Sequence, residues 1–199
     1  MKMRKFNNWE NIKAAGDFVA LPAGGYIVKI MDAKEVTFSG KNGDFSRLDV
    51  SLDIAEGEYQ DYYKNDYKNQ NTEDKKWRGV LKLFLPKEDG TEKDNWTISV
   101  FKAFTEAVEE SNKGYHWDWD EATLKGKVFG CLFRREEWEY NDKSGWKTQP
   151  FRAVSVSTIR ENKFEVPKDK PLQNKSTVQP TGSTQPKTVQ LLDDEDLPF

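Results

Sequence analysis

Four side chains stand out for the chemistry their types and spacing allow: Phe45 and Arg47, then Lys82 and Phe84. In each pair a ring and a cation lie two residues apart, the spacing that puts both on one face of a strand. If the two strands are neighbours, the surface offers ring faces for stacking and cations for phosphate, which is what a single nucleic-acid strand needs. A base stacked on an aromatic is worth about 1–3 kcal/mol, and the cations add a salt-dependent part. The competing reading is that Phe45 and Phe84 simply pack beneath a neighbouring segment.

Two further groups have the same character. Arg134 and Arg135, followed by Trp138, Tyr140, Trp146, Lys147 and Arg152, put aromatics around a short basic loop that one core cannot bury together. The polar stretch 56–77 interleaves Tyr62, Tyr63, Lys76, Trp77 and, just beyond it, Arg78, which would suit a flap closing over a bound strand. Its acids, among them Asp61, Asp66 and Asp74, weaken that case, and a solvated loop held down by one or two tyrosines stands equally beside it. Lys41, in the loop 39–44, adds a cation near Phe45. By contrast, residues 115–121 carry Trp117 and Trp119 among Asp118, Asp120 and Glu121. Acids repel phosphate, so that segment is expected to plug one end of the fold or form a contact.

Nothing in the chain reads as catalytic. One Cys (Cys131) and one His (His116) exclude a disulfide framework and a Cys/His zinc site on count alone. No nucleophile elbow or phosphate-cradling glycine loop is present. The 34 acids read as a solvated surface rather than a metal-dependent nuclease site, and no cofactor is expected.

The elements that must position these residues follow from periodicity. Residues 26–38 read as a first strand after the turn Pro22-Ala23-Gly24-Gly25. Residues 45–55 alternate cleanly, with Leu48, Val50, Leu52 and Ile54 on one side and Phe45, Arg47, Asp49, Ser51 and Asp53 on the other. Residues 78–85 alternate again around Leu81, Leu83 and Leu85. Residues 96–111 carry Phe101, Phe104, Ala107 and Val108 at helical spacing, with a stop at Asn112-Lys113-Gly114. A fourth strand is expected over 127–140, a turn loop over 141–146 and a fifth strand over 151–160. Three strands, a helix and two strands make a mainly β chain. This is the order of the five-stranded oligonucleotide/oligosaccharide-binding (OB) barrel, with a helix between strands 3 and 4 and here a long insertion between strands 2 and 3. That barrel binds ligands over strands 2 and 3 and the loops 1-2 and 4-5.

The chain has 199 residues, 36% hydrophobic and 33% charged, with a net charge of −3. Four acids at 193–196 exceed that deficit, so the rest carries about +1 and could still bear a basic groove. Aromatics make up 13%, more than a chain this polar needs for its core. The basic start of the chain has no apolar run behind it, and no stretch approaches a membrane span. A cytoplasmic protein is expected, with no membrane partner.

From residue 166 to 190 the chain is rich in Pro, Gln, Ser, Thr and Lys and too poor in apolar surface to offset ordering. The expected organisation is an N-terminal arm (1–11), a folded domain (12–165), a disordered linker (166–190) and a tip (191–199). The tip ends Asp193-Asp194-Glu195-Asp196-Leu197-Pro198-Phe199. A restricted backbone at Pro198, the ring of Phe199 beside a free carboxylate, and acids that attract from a distance suit capture by a basic-lipped apolar pocket.

This tail and tip resemble those of bacterial single-stranded DNA-binding proteins, with Leu-Pro-Phe where that family commonly ends Ile-Pro-Phe. Gly24-Gly25-Tyr26, Ile54-Ala55-Glu56-Gly57, Ser111-Asn112-Lys113-Gly114-Tyr115 and Leu124-Lys125-Gly126-Lys127 look more like phage-encoded proteins of replication and recombination modules in Gram-positive hosts. The resemblance implies a non-enzymatic protein that coats single-stranded DNA with little sequence preference. Its tip would recruit a recombination mediator, primase, helicase or exonuclease, and a homo-oligomer is compatible with the resemblance. A protein- or RNA-binding adaptor of the replication machinery is the alternative.

Overall fold

The computed structural model describes residues 4–5, 20–40 and 43–172. Lys41, most of the N-terminal arm, residues 173–190 of the linker and the whole tip with Asp193, Asp194, Glu195, Asp196, Leu197, Pro198 and Phe199 lie outside the described residues.

The fold is mainly β. Five antiparallel strands, β1 (Gly24–Gly40), β2 (Gly43–Ile54), β3 (Val80–Phe84), β4 (Val128–Tyr140) and β5 (Lys143–Val154), form one sheet in the order β3-β2-β1-β4-β5. The first part of β1 pairs with β4, from Gly24 opposite Phe133 to Lys29 opposite Val128. Its longer remainder pairs with β2, from Val28 opposite Ile54 to Gly40 opposite Gly43. The register slips between Ile30 and Asp32, leaving Met31 as an extra residue. That bulge resets the alternation, so that Val28, Ile30 and Ala33 all meet the buried side of β2 at Ile54, Leu52 and Val50. The end strands β3 and β5 approach each other, but no ladder joins them among the described residues, so the sheet is open rather than a hydrogen-bonded barrel.

The core is the alternating face read from the sequence. Leu48, Val50, Leu52, Ile54, Leu81 and Leu83 join Phe104, Val108, Phe129, Cys131 and Phe133, all buried. The helix between β3 and β4, here α2 (Glu92–Ser111), starts one turn earlier than its apolar spacing predicts. Thr91 caps it by accepting the Asp94 N–H at 3.2 Å, and Glu92 and Asp94 favour the positive end of its dipole. At its far end the Asn112 amide donates to the Val128 carbonyl at 2.7 Å and accepts the Val128 N–H at 3.1 Å, tying the helix to β4.

Three expectations need correction. The stretch 56–77 is not all loop: it contains α1 (Tyr62–Asn69). The fifth strand is not 151–160 but Lys143–Val154, because Asn141 and Asp142 close a tight hairpin in the left-handed region at φ 46 and 60. The chain then turns at Ser155, whose hydroxyl accepts the Thr158 N–H at 3.3 Å and starts α3 (Val156–Arg160). That helix lies so close to the sheet that a Cβ at Gly25 or Gly130 would overlap Ile159. Finally, the chain does not leave the fold at 165. Lys170 donates its N–H to the Arg135 carbonyl at 2.8 Å and accepts the Glu137 N–H at 2.9 Å, forming an isolated parallel bridge beside β4.

Candidate nucleic-acid interface

The outward face of β1, β2 and β3 is built by register. Phe38 lies opposite Phe45, Val36 opposite Arg47 and Lys34 opposite Asp49. On the other side Arg47 meets Phe84, and Asp49 meets Lys82. Phe84 therefore faces Arg47 across the strands, whereas Lys82 faces Asp49 and Phe45 faces Phe38. Phe45 stacks on Phe38 at 5.2 Å between centroids and lies 6.1 Å from Phe84, so three half-buried rings form one cluster.

Arg47 is not the open cation its alternation predicts. It is 9% exposed, its guanidinium donates to both oxygens of Asp49 at 2.6 and 3.1 Å, and it sits 4.5 Å from the Phe38 centroid. Lys82 stays accessible. Its ammonium pKa is lowered, first by partial burial and then by the neighbouring Arg47, with Asp49 and Glu136 opposing and Lys147 reinforcing. Glu136 and Lys147 belong to the β4–β5 hairpin, and β5 approaches β3 in the fold.

The hairpin residues divide between two faces. Arg134, Glu136 and Trp138 share one with Lys147, the cross-strand partner of Glu136, and Tyr140 continues the same side at 72% exposure. Arg134 binds Glu136 at 2.7 Å and lies 4.0 Å from the Phe151 centroid. Half-buried Trp138 crosses over Gly145. Arg135 points the opposite way, 5.0 Å from the Trp146 centroid and 3.4 Å from Asp169. Arg134 and Arg135 thus lie on opposite faces of the hairpin. Arg152 lies 5.3 Å from the Phe151 ring.

The insertion is anchored to the fold. Tyr63 is 4% exposed and sits in the core, stacked on Phe133, so it is packing and not a surface contact. Its hydroxyl is buried with no hydrogen-bond partner among the described residues. The Tyr62 hydroxyl accepts the Leu21 N–H at 3.3 Å, and the Trp77 indole N–H donates to the Leu52 carbonyl at 3.0 Å. Arg78 pairs with Asp66 at 3.0 Å and Lys76 with Asp74 at 3.2 Å. Of Tyr62, Tyr63, Lys76, Trp77 and Arg78, Lys76 and Arg78 are exposed, as are Lys64, Tyr67, Lys68 and Lys75 of the same stretch.

Phe38, Phe151, Asp49, Glu136 and Gln149, which donates to Glu136 at 3.5 Å, belong to this surface and were not singled out by the sequence. Phe38 was legible in principle, since a hairpin closing between Gly40 and Gly43 forces it opposite Phe45. Away from this face, Tyr115 and Trp117 pack against the core, whereas Trp119 is 79% exposed. Trp119 stacks on Phe101 at 6.4 Å.

Among the described residues no group of three or more His, Cys, Asp or Glu side chains could hold a metal ion, and no helix is long and apolar enough to cross a membrane. No family model matches the chain, and no curated protein matches it.

Proposed function

We propose that this chain is a non-enzymatic binder of single-stranded DNA, built on an OB-type sheet, that serves replication or recombination and recruits partner proteins through its Asp193–Phe199 tip. The strand order supports the OB reading: β1 runs between β2 and β4, β3 and β5 lean together, and α2 lies between β3 and β4. The observation that carries the DNA reading is the shared outer face of Phe38, Phe45, Phe84, Arg47 and Lys82, with β5 close to β3. Rings close enough to stack on one another can take up successive bases, with Lys82 and Lys147 at hand for phosphate. The tip supports the partner side through its own chemistry, a terminal ring and carboxylate behind four acids.

The test is a titration of the full chain with oligo-dT, read by tryptophan fluorescence at two salt concentrations. Quenching that weakens steeply with salt is the expected result. Absence of any change at low salt, both for the full chain and for one ending at residue 189, rejects it. Trp119, exposed among Asp118, Asp120 and Glu121, favours a second reading as a protein-binding adaptor. Tip-dependent partner capture without any nucleic-acid binding would select that reading.

A further inference from the structure

Arg47 and Arg134 are held in the same way on two different strands. Arg47 on β2 is bound by Asp49, two residues on, and lies 4.5 Å from the Phe38 ring. Arg134 on β4 is bound by Glu136, two residues on, and lies 4.0 Å from the Phe151 ring. Residues two apart share a face of a strand, so each carboxylate reaches its arginine along its own strand. All four side chains are largely withdrawn, with exposures of 11% and 24% for the first pair and 16% and 26% for the second. Lys82 links the pairs, since Asp49 is its cross-strand partner and both carboxylates act on its ammonium.

A groove that grips phosphate leaves its guanidinium forks open for bidentate contact. Here both arginines already spend donors on a carboxylate. A phosphate oxygen would have to displace a group of the same charge, trading one charge-assisted bond for another. What the arginines still offer is the ring-and-guanidinium stack, which favours the faces of unpaired bases. The two carboxylates also oppose a ligand dense in phosphate, and a duplex carries one charge per about 1.7 Å, twice the density of a single strand.

We propose that Asp49 and Glu136 are specificity-determining residues, which withhold Arg47 and Arg134 from phosphate so that the groove takes single strands by their bases and refuses duplex. This inference rests on the nucleic-acid reading of the same face.

The experiment compares the full-length protein with D49N, E136Q and the double variant, binding oligo-dT and a duplex of equal length across a range of salt. Each freed arginine should steepen the slope of log K against log salt for oligo-dT by about 0.7. Duplex affinity should rise by about tenfold or more in the double variant, and by more than oligo-dT affinity does. R47Q guards against a trivial folding effect: it should lower affinity without altering the slope when Asp49 is present, and remove the added slope in the D49N background. Unchanged slopes in variants that bind oligo-dT, equal gains for both ligands, or weaker oligo-dT binding overturn this inference alone. No binding by any form at low salt overturns the nucleic-acid reading and this inference with it.

Discussion

Asp53 on β2 accepts the backbone N–H of Tyr63, ten residues on, at 2.9 Å. The same carboxylate takes the Ile54 N–H at 2.9 Å and the Lys64 N–H at 3.1 Å. Asp61, the residue before α1, sits in the left-handed region and makes no side-chain cap. The first turn of α1 is therefore capped from a strand, and the cap directs Tyr63 into the core. Asp53 is 4% exposed, and its pKa is raised, chiefly by burial, with the three N–H donors pulling it back.

Removing this cap costs stability. Asp53→Ala leaves three N–H groups without their acceptor, two of them at the helix start, and is expected to cost about 1–3 kcal/mol in urea unfolding. The pH dependence has a definite sign. A raised pKa means the native state binds the proton more tightly than the unfolded chain, so the contribution is fully present below the unfolded value of 3.8. It is lost as pH rises through the higher native value. The stability difference between wild type and Asp53→Asn should thus shift in favour of wild type as pH falls through this window. A difference that stays flat with pH would refute the burial argument.

Tyr63→Phe should be tolerated or stabilising. The ring fills the core against Phe133, while its buried hydroxyl has no partner among the described residues and its pKa is pushed up by burial. Deleting an unsatisfied hydroxyl while keeping the ring should gain on the order of 1 kcal/mol. A fall in the urea midpoint would mean that the hydroxyl is satisfied in solution.

Gly79→Ala tests the same junction from the other side. A Cβ at Gly79 would overlap the Tyr63 ring and the Leu52 carbonyl. Overpacking of this kind costs about 1–3 kcal/mol, and the Trp77 indole, bonded to Leu52 and Gly79, should report it as a shifted emission.

These junctions mark where the sequence stops being legible. Leu48, Val50, Leu52 and Ile54 alternate within one strand, so their common burial follows from neighbours alone. The start of α1 does not, because its cap comes from Asp53 and its seat from Gly79, neither of them inside the helix. The first eight residues of β5, Lys-Ser-Gly-Trp-Lys-Thr-Gln-Pro, have no apolar alternation, and they include Pro150, which an edge strand tolerates. Only its ladder with β4 makes it a strand. The ring-cation face was readable as residue types, but the carboxylates holding Arg47 and Arg134 were not. A charge two residues away reads equally well as a partner or as surface.

Ring removal should separate stacking from charge. Phe45→Ala and Phe84→Ala should each weaken oligo-dT binding by about 1–3 kcal/mol, roughly 5- to 150-fold, with the salt slope unchanged. Lys82→Gln should instead reduce the slope by about 0.7, as one phosphate contact is lost. A slope change on ring removal, or none on loss of Lys82, would place the phosphate contacts elsewhere.

The segment after α3 belongs to the fold, and where the chain is cut decides whether the fold survives. Beyond Gly24, β1 no longer covers β4, so the β4 backbone at 135–137 would present an open edge. Residues 169–172 fill it. Lys170 bonds to both Arg135 and Glu137, Asp169 pairs with Arg135, and the Leu172 N–H donates to the Glu137 carboxylate at 3.2 Å. An uncovered edge invites another strand, usually from a second copy. A chain ending at residue 165 is therefore expected to lose denaturant stability and to associate as concentration rises, whereas one ending at 172 should keep the stability of the full chain. Light scattering after gel filtration, with urea unfolding of both truncations, distinguishes them. Equal behaviour would mean that the strap rests on β4 without contributing to it. Asp169 already occupies Arg135 beside Trp146, so a strap that holds also confines the start of the tail to that face of the hairpin.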